Sequence, residues 1–410
     1  MVPPWPGFRC SWDQCTPSAA AKPGHAEHND RVLPSSVSHP PLGFYVHVPF
    51  CASRCGYCDF NTYTAEELGA GVSRATYADT VIEEIRWARE QVADDRPVST
   101  VFVGGGTPTL LGARDLVRIL EVIRAEFGLE AGAEVTTEAN PDSVSPAMLE
   151  ELRAGGFTRV SFGVQSLAPH VLAVLERTHT PGRSLEAIAE ARAAGFTRVS
   201  ADLIYATPGE TDADLVGSLQ AVLDAGVDHL SAYSLIVEDG TRLAARVRRD
   251  ELPAPDDDVA ADRYRLIDTM ASAAGLQWYE VSNWALPGSE CRHNLGYWSD
   301  ADWWGAGPGA HGHLDGRRWW NLKHPATYAR AVDQGEAPIA GEETVDAQGR
   351  ALERIMLRLR TRQGIAREGL PAEVVTELTD EGLVEVLGEH VVLTSSGRLL
   401  ADAVVRRLAP

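Results

Sequence analysis

The stretch Leu152-Arg-Ala-Gly-Gly-Phe157-Thr-Arg-Val-Ser161 returns thirty-nine residues later as Ala191-Arg-Ala-Ala-Gly-Phe196-Thr-Arg-Val-Ser200. A weaker third copy is Ala225-Gly-Val-Asp-His-Leu-Ser231. Each copy reads as a helix end, a glycine able to take a left-handed C-cap, and a strand. Helical spacing over about 167–176, 184–194 and 212–225 separates these strands. The same alternation runs upstream. Strand-like runs at 44–48, 100–103 and 134–138 are interleaved with helical spacing at 76–91, 113–127 and 146–154. In the first of these helices Tyr77, Val81, Ile82 and Ile85 share a face. Six βα units therefore fit between Phe44 and Leu235. Right-handed crossovers turn such a run into a parallel sheet with helices outside, curved into a barrel or partial barrel.

In barrels of this kind chemistry gathers at the C-terminal ends of the strands. The groups expected there are Cys51, Cys55 and Cys58 after the first strand, the Gly104–Thr109 loop after the second, then Glu138, Gln165, Asp202 and Tyr233. For any one position a loop residue or helix cap is a competitive reading. Six consecutive strand ends with polar groups or glycines weaken it. The cysteines are spaced C-x3-C-x2-C, with Tyr57 just before the last. Thiolates bind zinc or iron–sulfur clusters. Zinc in a structural site asks for a fourth ligand, from Cys291, a histidine or the N-terminal segment. A four-iron cluster needs only these three and keeps one iron open. Glycines at 104–106 allow close backbone approach to a ligand. Glu138 and Asp202 suit an ammonium group or ribose hydroxyls, and Arg177 suits a carboxylate. Together they fit a zwitterionic nucleoside such as S-adenosylmethionine (SAM).

A net charge of −21 over 410 residues argues against non-specific nucleic-acid binding. No apolar run reaches 18 residues and no signal pattern opens the chain, so a cytoplasmic protein is expected. Six cysteines, three of them clustered, fit a metal site better than a disulfide framework. Residues 1–41, rich in Pro, Ser, Ala and His, read as a flexible tail carrying Cys10 and Cys15. The barrel is expected over 42–283. Residues 284–340 follow as a Gly-rich, aromatic connecting region with little regular structure, and 284–322 holds six of the ten tryptophans. Helical spacing, a hairpin at 384–394 and a last helix make 341–410 a mostly helical, winged-helix-like domain. The acidic balance favours packing or partner contact for it over DNA binding.

Cys51-Ala-Ser-Arg-Cys55-Gly-Tyr57-Cys58 resembles the radical SAM signature. Tyr45-Val-His-Val-Pro-Phe, Gly104-Gly-Gly-Thr-Pro-Thr109, Glu138-Ala-Asn-Pro141, Gly163-Val-Gln165-Ser and Asp202-Leu-Ile extend the match. The chain resembles the oxygen-independent coproporphyrinogen III dehydrogenases and their relatives. That resemblance implies an α/β fold: a radical SAM partial (β/α)6 barrel with a C-terminal helical domain. It implies a [4Fe–4S] cluster on Cys51, Cys55 and Cys58, with SAM contacting Tyr45, Tyr57, Gly105, Gly106, Thr107, Glu138, Gln165, Arg177 and Asp202. One departure matters. The dehydrogenases carry a further cysteine two residues past the third, and here that position is Phe60. This places the chain nearer the family's heme chaperone branch than the porphyrinogen-oxidising enzymes. His293-Asn294-Leu-Gly-Tyr297-Trp298 matches that branch's H-N-x-x-Y-W heme motif. Histidine is a common axial ligand and aromatic rings pack on porphyrin. Cys291 and His311 are further iron-ligand candidates. The expected arrangement puts the loops of 284–322 over the barrel mouth. Heme-accepting proteins are the implied partners, with peripheral association with membrane respiratory proteins as one expectation.

Overall fold

The computed structural model describes residues 40–68 and 73–409. The expected tail, with Cys10 and Cys15, lies almost wholly outside them. Six strands form the centre: β1 (Leu42–Val48), β2 (Val98–Gly105), β3 (Leu129–Ala139), β4 (Arg159–Gln165), β5 (Arg198–Tyr205) and β6 (His229–Ser234). Each pairs in parallel with the next in sequence order. The two strongest repeat copies lie side by side, Val160 opposite Val199 and Ser161 opposite Ser200. After the intervening helices, Gly156, Gly195 and Gly226 take φ of 107°, 87° and 75°. Only glycine adopts these values without strain, which is why the repeats carry it there. All seven residues of β1 are buried, as a strand covered on both faces requires.

The sheet does not close on itself. Strands β7 (Gln277–Glu280) and β8 (Asn283–Ala285) form a hairpin that pairs antiparallel with β6 through β8. On the other side β9 (Asp302–Ala306) runs parallel to β1. Strands β10 (His311–Leu314), β11 (Arg317–Asn321) and β12 (Ile339–Thr344) continue that edge antiparallel. The result is an open twelve-stranded sheet, with the parallel βα units as a partial barrel at its centre.

The stretch 284–340, expected to be largely irregular, instead carries β9, β10, β11 and the helices Arg292–Trp298 and Pro325–Asp333. Trp284, Trp298, Trp304 and Trp319 are buried, while Trp303 and Trp320 are half-buried. Trp304 and Trp319 lie 4.8 Å apart between ring centres, and Trp87 of the helix Arg74–Gln91 stands 5.6 Å from Trp304. Short strands broken by glycine hid the two-residue period. Gly312 leaves room for the Trp319 ring to lie on the neighbouring backbone.

The C-terminal residues build a second small core from Ile355, Leu359, Leu378, Val391 and Val404. Helices Ala347–Arg358 and Ala372–Asp380 precede a hairpin of β14 (Val384–Leu387) and β15 (His390–Leu393). The short β13 (Ile365–Ala366) adds to β15, and the helices Ser395–Leu399 and Ala401–Leu408 close the chain. This helix–hairpin–helix order is the winged-helix-like pattern expected.

Candidate functional site

The cysteine loop leaves β1 at Val48 and returns at Tyr63. Tyr63 N–H donates to Pro49 O (2.7 Å) and Cys51 N–H to Tyr63 O (3.0 Å). Midway, Gly56 N–H donates to Leu175 O (3.0 Å), and Leu243 N–H to Gly56 O (2.8 Å). The loop is thus pinned to the ends of the fourth and sixth units. Cys51, Cys55 and Cys58 are free and half-buried. Burial, then the neighbouring Cys58, pushes the Cys51 thiol up to about 11, and burial also raises Cys58. These thiols lose their protons only to a strong local cation, which a metal centre provides. Among the described residues no group of three or more His, Cys, Asp and Glu side chains could hold a single metal ion. Three thiols on one loop can hold three irons of a cluster, one sulfur per iron.

The glycine loop at the end of β2 is pressed against the base of the cysteine loop. Gly106 N–H donates to Val48 O (2.8 Å) and Thr107 N–H to Phe50 O (2.7 Å). A Cβ at Gly106 would collide with the Phe50 carbonyl and stand 3.0 Å from Cys51 Sγ. Gly105 has φ 115° and donates to Glu138 Oε2 (3.0 Å). Half-buried Glu138 is pushed up to about 7 by burial and by the charge of Asp202. Asp202, held by Ser161 Oγ–H at 3.0 Å, is itself raised by burial to about 6. Two carboxylates that repel each other favour a cation between them.

Arg177 donates to Cys55 Sγ (3.6 Å) and Gly163 O (2.8 Å), and its Nε has no partner. Gly163 lacks the Cβ that would meet Arg177 Nη2 at 3.0 Å and Gln165 Nε2 at 2.9 Å. Gln165 ends β4 at φ 66°, where the β4–β5 register shifts. A non-glycine residue in that region is strained, as functional strand ends often are. Tyr57 packs beside the cluster of Leu175, Leu235 and Leu243. Tyr233, at the end of β6, stays 37% exposed. Free thiols, a glycine cradle, an incompletely bonded arginine and paired carboxylates fit a cluster with a small zwitterionic ligand.

Tyr45 is placed deeper than a ligand contact at the mouth requires. Its hydroxyl is 2.9 Å from His47 Nδ1. His47 Nε2 is 2.9 Å from Asn61 O, which can only accept. His47 therefore carries its proton on Nε2 and accepts from Tyr45. The Tyr45 ring lies near-parallel to Phe102 and His293, with centroids 6.3 and 6.5 Å away.

The H-N-x-x-Y-W segment forms the helix Arg292–Trp298. It does not cover the barrel mouth, as expected; it lies under the N-terminal ends of the strands. His293 Nδ1 is 2.8 Å from Thr100 Oγ1, near the start of β2, and Nε2 is 2.9 Å from Tyr297 OH. Its ring stacks on Phe102 at 5.3 Å and 24°. Burial pushes its pKa down to about 3, so it is neutral. Glu134 of β3 accepts from His293 N–H (3.1 Å), from the Cys291 thiol (3.5 Å) and from Arg159 Nη2 (3.0 Å). That buried network turns the segment inward. It also keeps Cys291 a protonated, buried thiol far from the cysteine loop, which removes it as a partner of those ligands. Trp298 is buried, Asn294 is half-buried, and His311 is exposed on β10 beside Trp320. His47, Asn61, Thr100 and Glu134 went unremarked in the sequence. His47 sits inside the Tyr45-Val-His-Val-Pro-Phe motif, but only the fold reveals its partners.

Beside the helix lies an open cavity of about 190 Å³, lined by His293, Tyr297, Trp303, Arg292, Gly43 and Thr100 among others. Trp303 and Tyr297 meet edge to face at 4.7 Å.

Residues 45–222 match the radical SAM superfamily. The heme chaperone HemW of Mycobacterium tuberculosis is 54% identical over 381 residues, covering 92% of this chain and 97% of that one. HemW of Escherichia coli is 32% identical, covering 90% and 98%. The structure of E. coli coproporphyrinogen III oxidase (HemN), a radical SAM enzyme, superposes with a TM-score of 0.78 at 23% identity over 90% of each chain. That last likeness is one of fold. With a radical SAM core and near end-to-end similarity to these chaperones, the chain belongs to the heme chaperone HemW family.

Proposed function

We propose that this protein binds heme and delivers it to acceptor proteins, and that it carries a [4Fe–4S] cluster and SAM at the opposite end of its parallel strands. What supports the reading most is the placement of His293, Tyr297 and Trp303 around a cavity of their own. The two ends differ by five residues along β2, from Thr100 to Gly105, or roughly 16 Å at the usual rise per residue. Trp303, Tyr297 and Arg292 line this cavity and would offer aromatic surface and a cation to a porphyrin. Neutral His293 is chemically ready to ligate iron. To do so it must give up Thr100 or Tyr297, at a cost of about 1 kcal/mol per hydrogen bond. Asn294 and Trp298 would shape the helix rather than touch iron.

On the other side Cys51, Cys55 and Cys58 would hold the cluster. Glu138 and Asp202 would receive a positively charged group of SAM, Arg177 and Gln165 its carboxylate or ribose. The backbone at Gly105, Gly106 and Thr107 would line the approach, and Tyr57 would shield it. Tyr45 would act through His47. The cluster supplies one electron and an open iron. The protein's residues supply a charge-matched, water-poor seat.

Phe60 occupies the position of the dehydrogenases' additional cysteine and is 39% exposed. This favours a carrier over an enzyme that decarboxylates porphyrinogen propionates. No described helix is long and apolar enough to cross a membrane. A cytoplasmic carrier meeting membrane-bound respiratory acceptors peripherally is part of the same proposal. So is a division into an N-terminal segment, the barrel with its sheet extension, and the C-terminal helical domain. Heme titration of wild type and His293→Ala tests the reading. The variant should show a changed Soret band and weaker binding; identical spectra and affinity would remove His293 as ligand.

A further inference from the structure

Asn61 stands three residues past Cys58 and is tied to four places. Its carbonyl accepts from His47 Nε2–H (2.9 Å). Its side-chain amide donates to Pro308 O (3.0 Å) and Lys323 O (2.8 Å). Its Oδ1 accepts from Tyr63 OH (3.1 Å). Two carbonyl partners fix the orientation of the amide, since only its nitrogen can donate. Those carbonyls lie 247 and 262 residues further along the chain.

The surface Asn61 rests on is built for close approach. Gly307 (φ 100°) lies so near β1 that a Cβ would stand 2.5 Å from His47 O. Gly309 (φ 73°) would place a Cβ 2.6 Å from Asn61 Nδ2. The turn is held from behind by Glu84. Gly307 N–H donates to Glu84 Oε2 (2.7 Å), Asn321 Nδ2 to Glu84 Oε1 (2.7 Å), and Tyr328 OH to the same carboxylate. Asn321 also donates to Gly307 O (3.0 Å), and Gly309 N–H to Leu322 O (3.0 Å). The 307–309 turn is therefore a rigid block.

Besides Asn61, the far half of the cysteine loop is tied by Cys58 N–H to Cys55 O (3.3 Å) and by Arg54 to Thr62 O. Thr62 Oγ1 is 3.9 Å from Cys58 Sγ, and Thr62 N–H donates to Phe60 O (2.7 Å). The first half is held by Gly56 and by the Cys51–Tyr63 pairing described above. Cys58 is therefore held on one side by Cys55 and on the other by what holds residues 59–62.

We propose that Asn61 is the positioning residue of the cluster loop: docked on the Gly307–Gly309 turn, it places Cys58 relative to Cys51 and Cys55. This rests on the assignment of the three cysteines as cluster ligands. It also accounts for Gly307 and Gly309, which otherwise look like simple turn formers, and links a distant sheet extension to the cluster.

The test uses two variants that break one contact from opposite sides. Asn61→Asp keeps the shape but cannot donate to two carbonyls. Gly309→Ala pushes a methyl into the Asn61 amide. In metal-free protein, alkylation of each cysteine by iodoacetamide is followed by mass spectrometry. In anaerobically reconstituted protein, iron content, the electron paramagnetic resonance of the reduced cluster and its loss to a chelator are measured. Both variants should alkylate Cys58 several-fold faster, leave buried Cys291 at the wild-type rate, and release iron about tenfold faster. Their reduced clusters should give an altered resonance. Wild-type Cys58 reactivity and iron release in both variants would overturn the proposal. So would a parallel rise at Cys291, since that marks general loosening. If wild type takes up no iron, the cluster assignment fails, while the alkylation arm still reads the docking.

Discussion

His293 and Thr100 share a 2.8 Å hydrogen bond under the N-terminal ends of the strands, whereas Cys51 and Gly106 meet at the C-terminal ends. The chain thus presents two chemically different ends of one sheet, an imidazole with aromatic walls and a thiol loop with a glycine cradle. Thr100 holds His293 away from a ligand. Replacing it by valine removes one restraint of about 1 kcal/mol. Thr100→Val should bind heme roughly fivefold more tightly and unfold at slightly lower denaturant. Unchanged heme affinity in a Soret titration would show that this bond does not compete with iron.

At the other end, burial raises the Cys51 and Cys58 thiols, which yield their protons only to metal. Cys51→Ala, Cys55→Ala and Cys58→Ala should each abolish stable iron–sulfur absorption after reconstitution. Gly106→Ala should do nearly the same without replacing a ligand, because its methyl meets the Phe50 carbonyl and crowds Cys51 Sγ. Iron and sulfide analysis checks both; a fully loaded Gly106→Ala protein would mean the loops are looser than drawn.

Glu138 should make SAM binding depend on pH. Its pKa is raised to about 7, by burial first and by Asp202 next. A positively charged ligand group favours the ionised form, so the proton must leave on binding. Affinity should therefore climb as pH rises through about 7 and level off above it. Glu138→Gln should bind more weakly and lose most of that rise. Equilibrium binding to reconstituted protein from pH 6 to 8 is the measurement, and a flat wild-type profile would sink the assignment.

Glu84 gives a stability signature. Burial raises it to about 7 against an ordinary value of 4.5, despite the donors from Tyr328, Gly307 and Asn321. Between those values the folded state holds the proton that the unfolded chain has released. Stability therefore falls as pH rises from 4.5 through about 7. The loss attributable to Glu84 is on the order of 1–3 kcal/mol. Buried Glu280 and Asp202 share the sign, so Glu84→Gln should reduce the slope rather than erase it. Urea unfolding at pH 5, 6 and 7 reads this directly; equal slopes in both proteins would contradict it.

The parallel core was legible because its signals are local. Glycine C-caps recur with the repeat, and strands buried on both faces read as apolar runs. The cysteine and glycine loops were legible for the same reason, as each motif lies within a few residues. What stayed hidden depends on long-range pairing. Trp304 and Trp319 stand in a stretch expected to have little regular structure, yet they fill a core against Trp87. The helix Arg292–Trp298 was expected over the mouth, but the buried Glu134–Arg159 pair draws it beneath the sheet. No spacing in the sequence announces that a carboxylate on β3 will bond a backbone N–H 159 residues away.

A heme carrier and a porphyrinogen-oxidising enzyme on this scaffold give opposite results with coproporphyrinogen. The most direct measurement is an anaerobic incubation of reconstituted protein with coproporphyrinogen III, SAM and a reductant, products resolved by chromatography, with heme binding confirmed on the same preparation. A heme carrier should give a Soret band on heme addition and no protoporphyrinogen above the protein-free control. Protoporphyrinogen formed catalytically, and abolished by Cys51→Ala, would contradict the carrier reading.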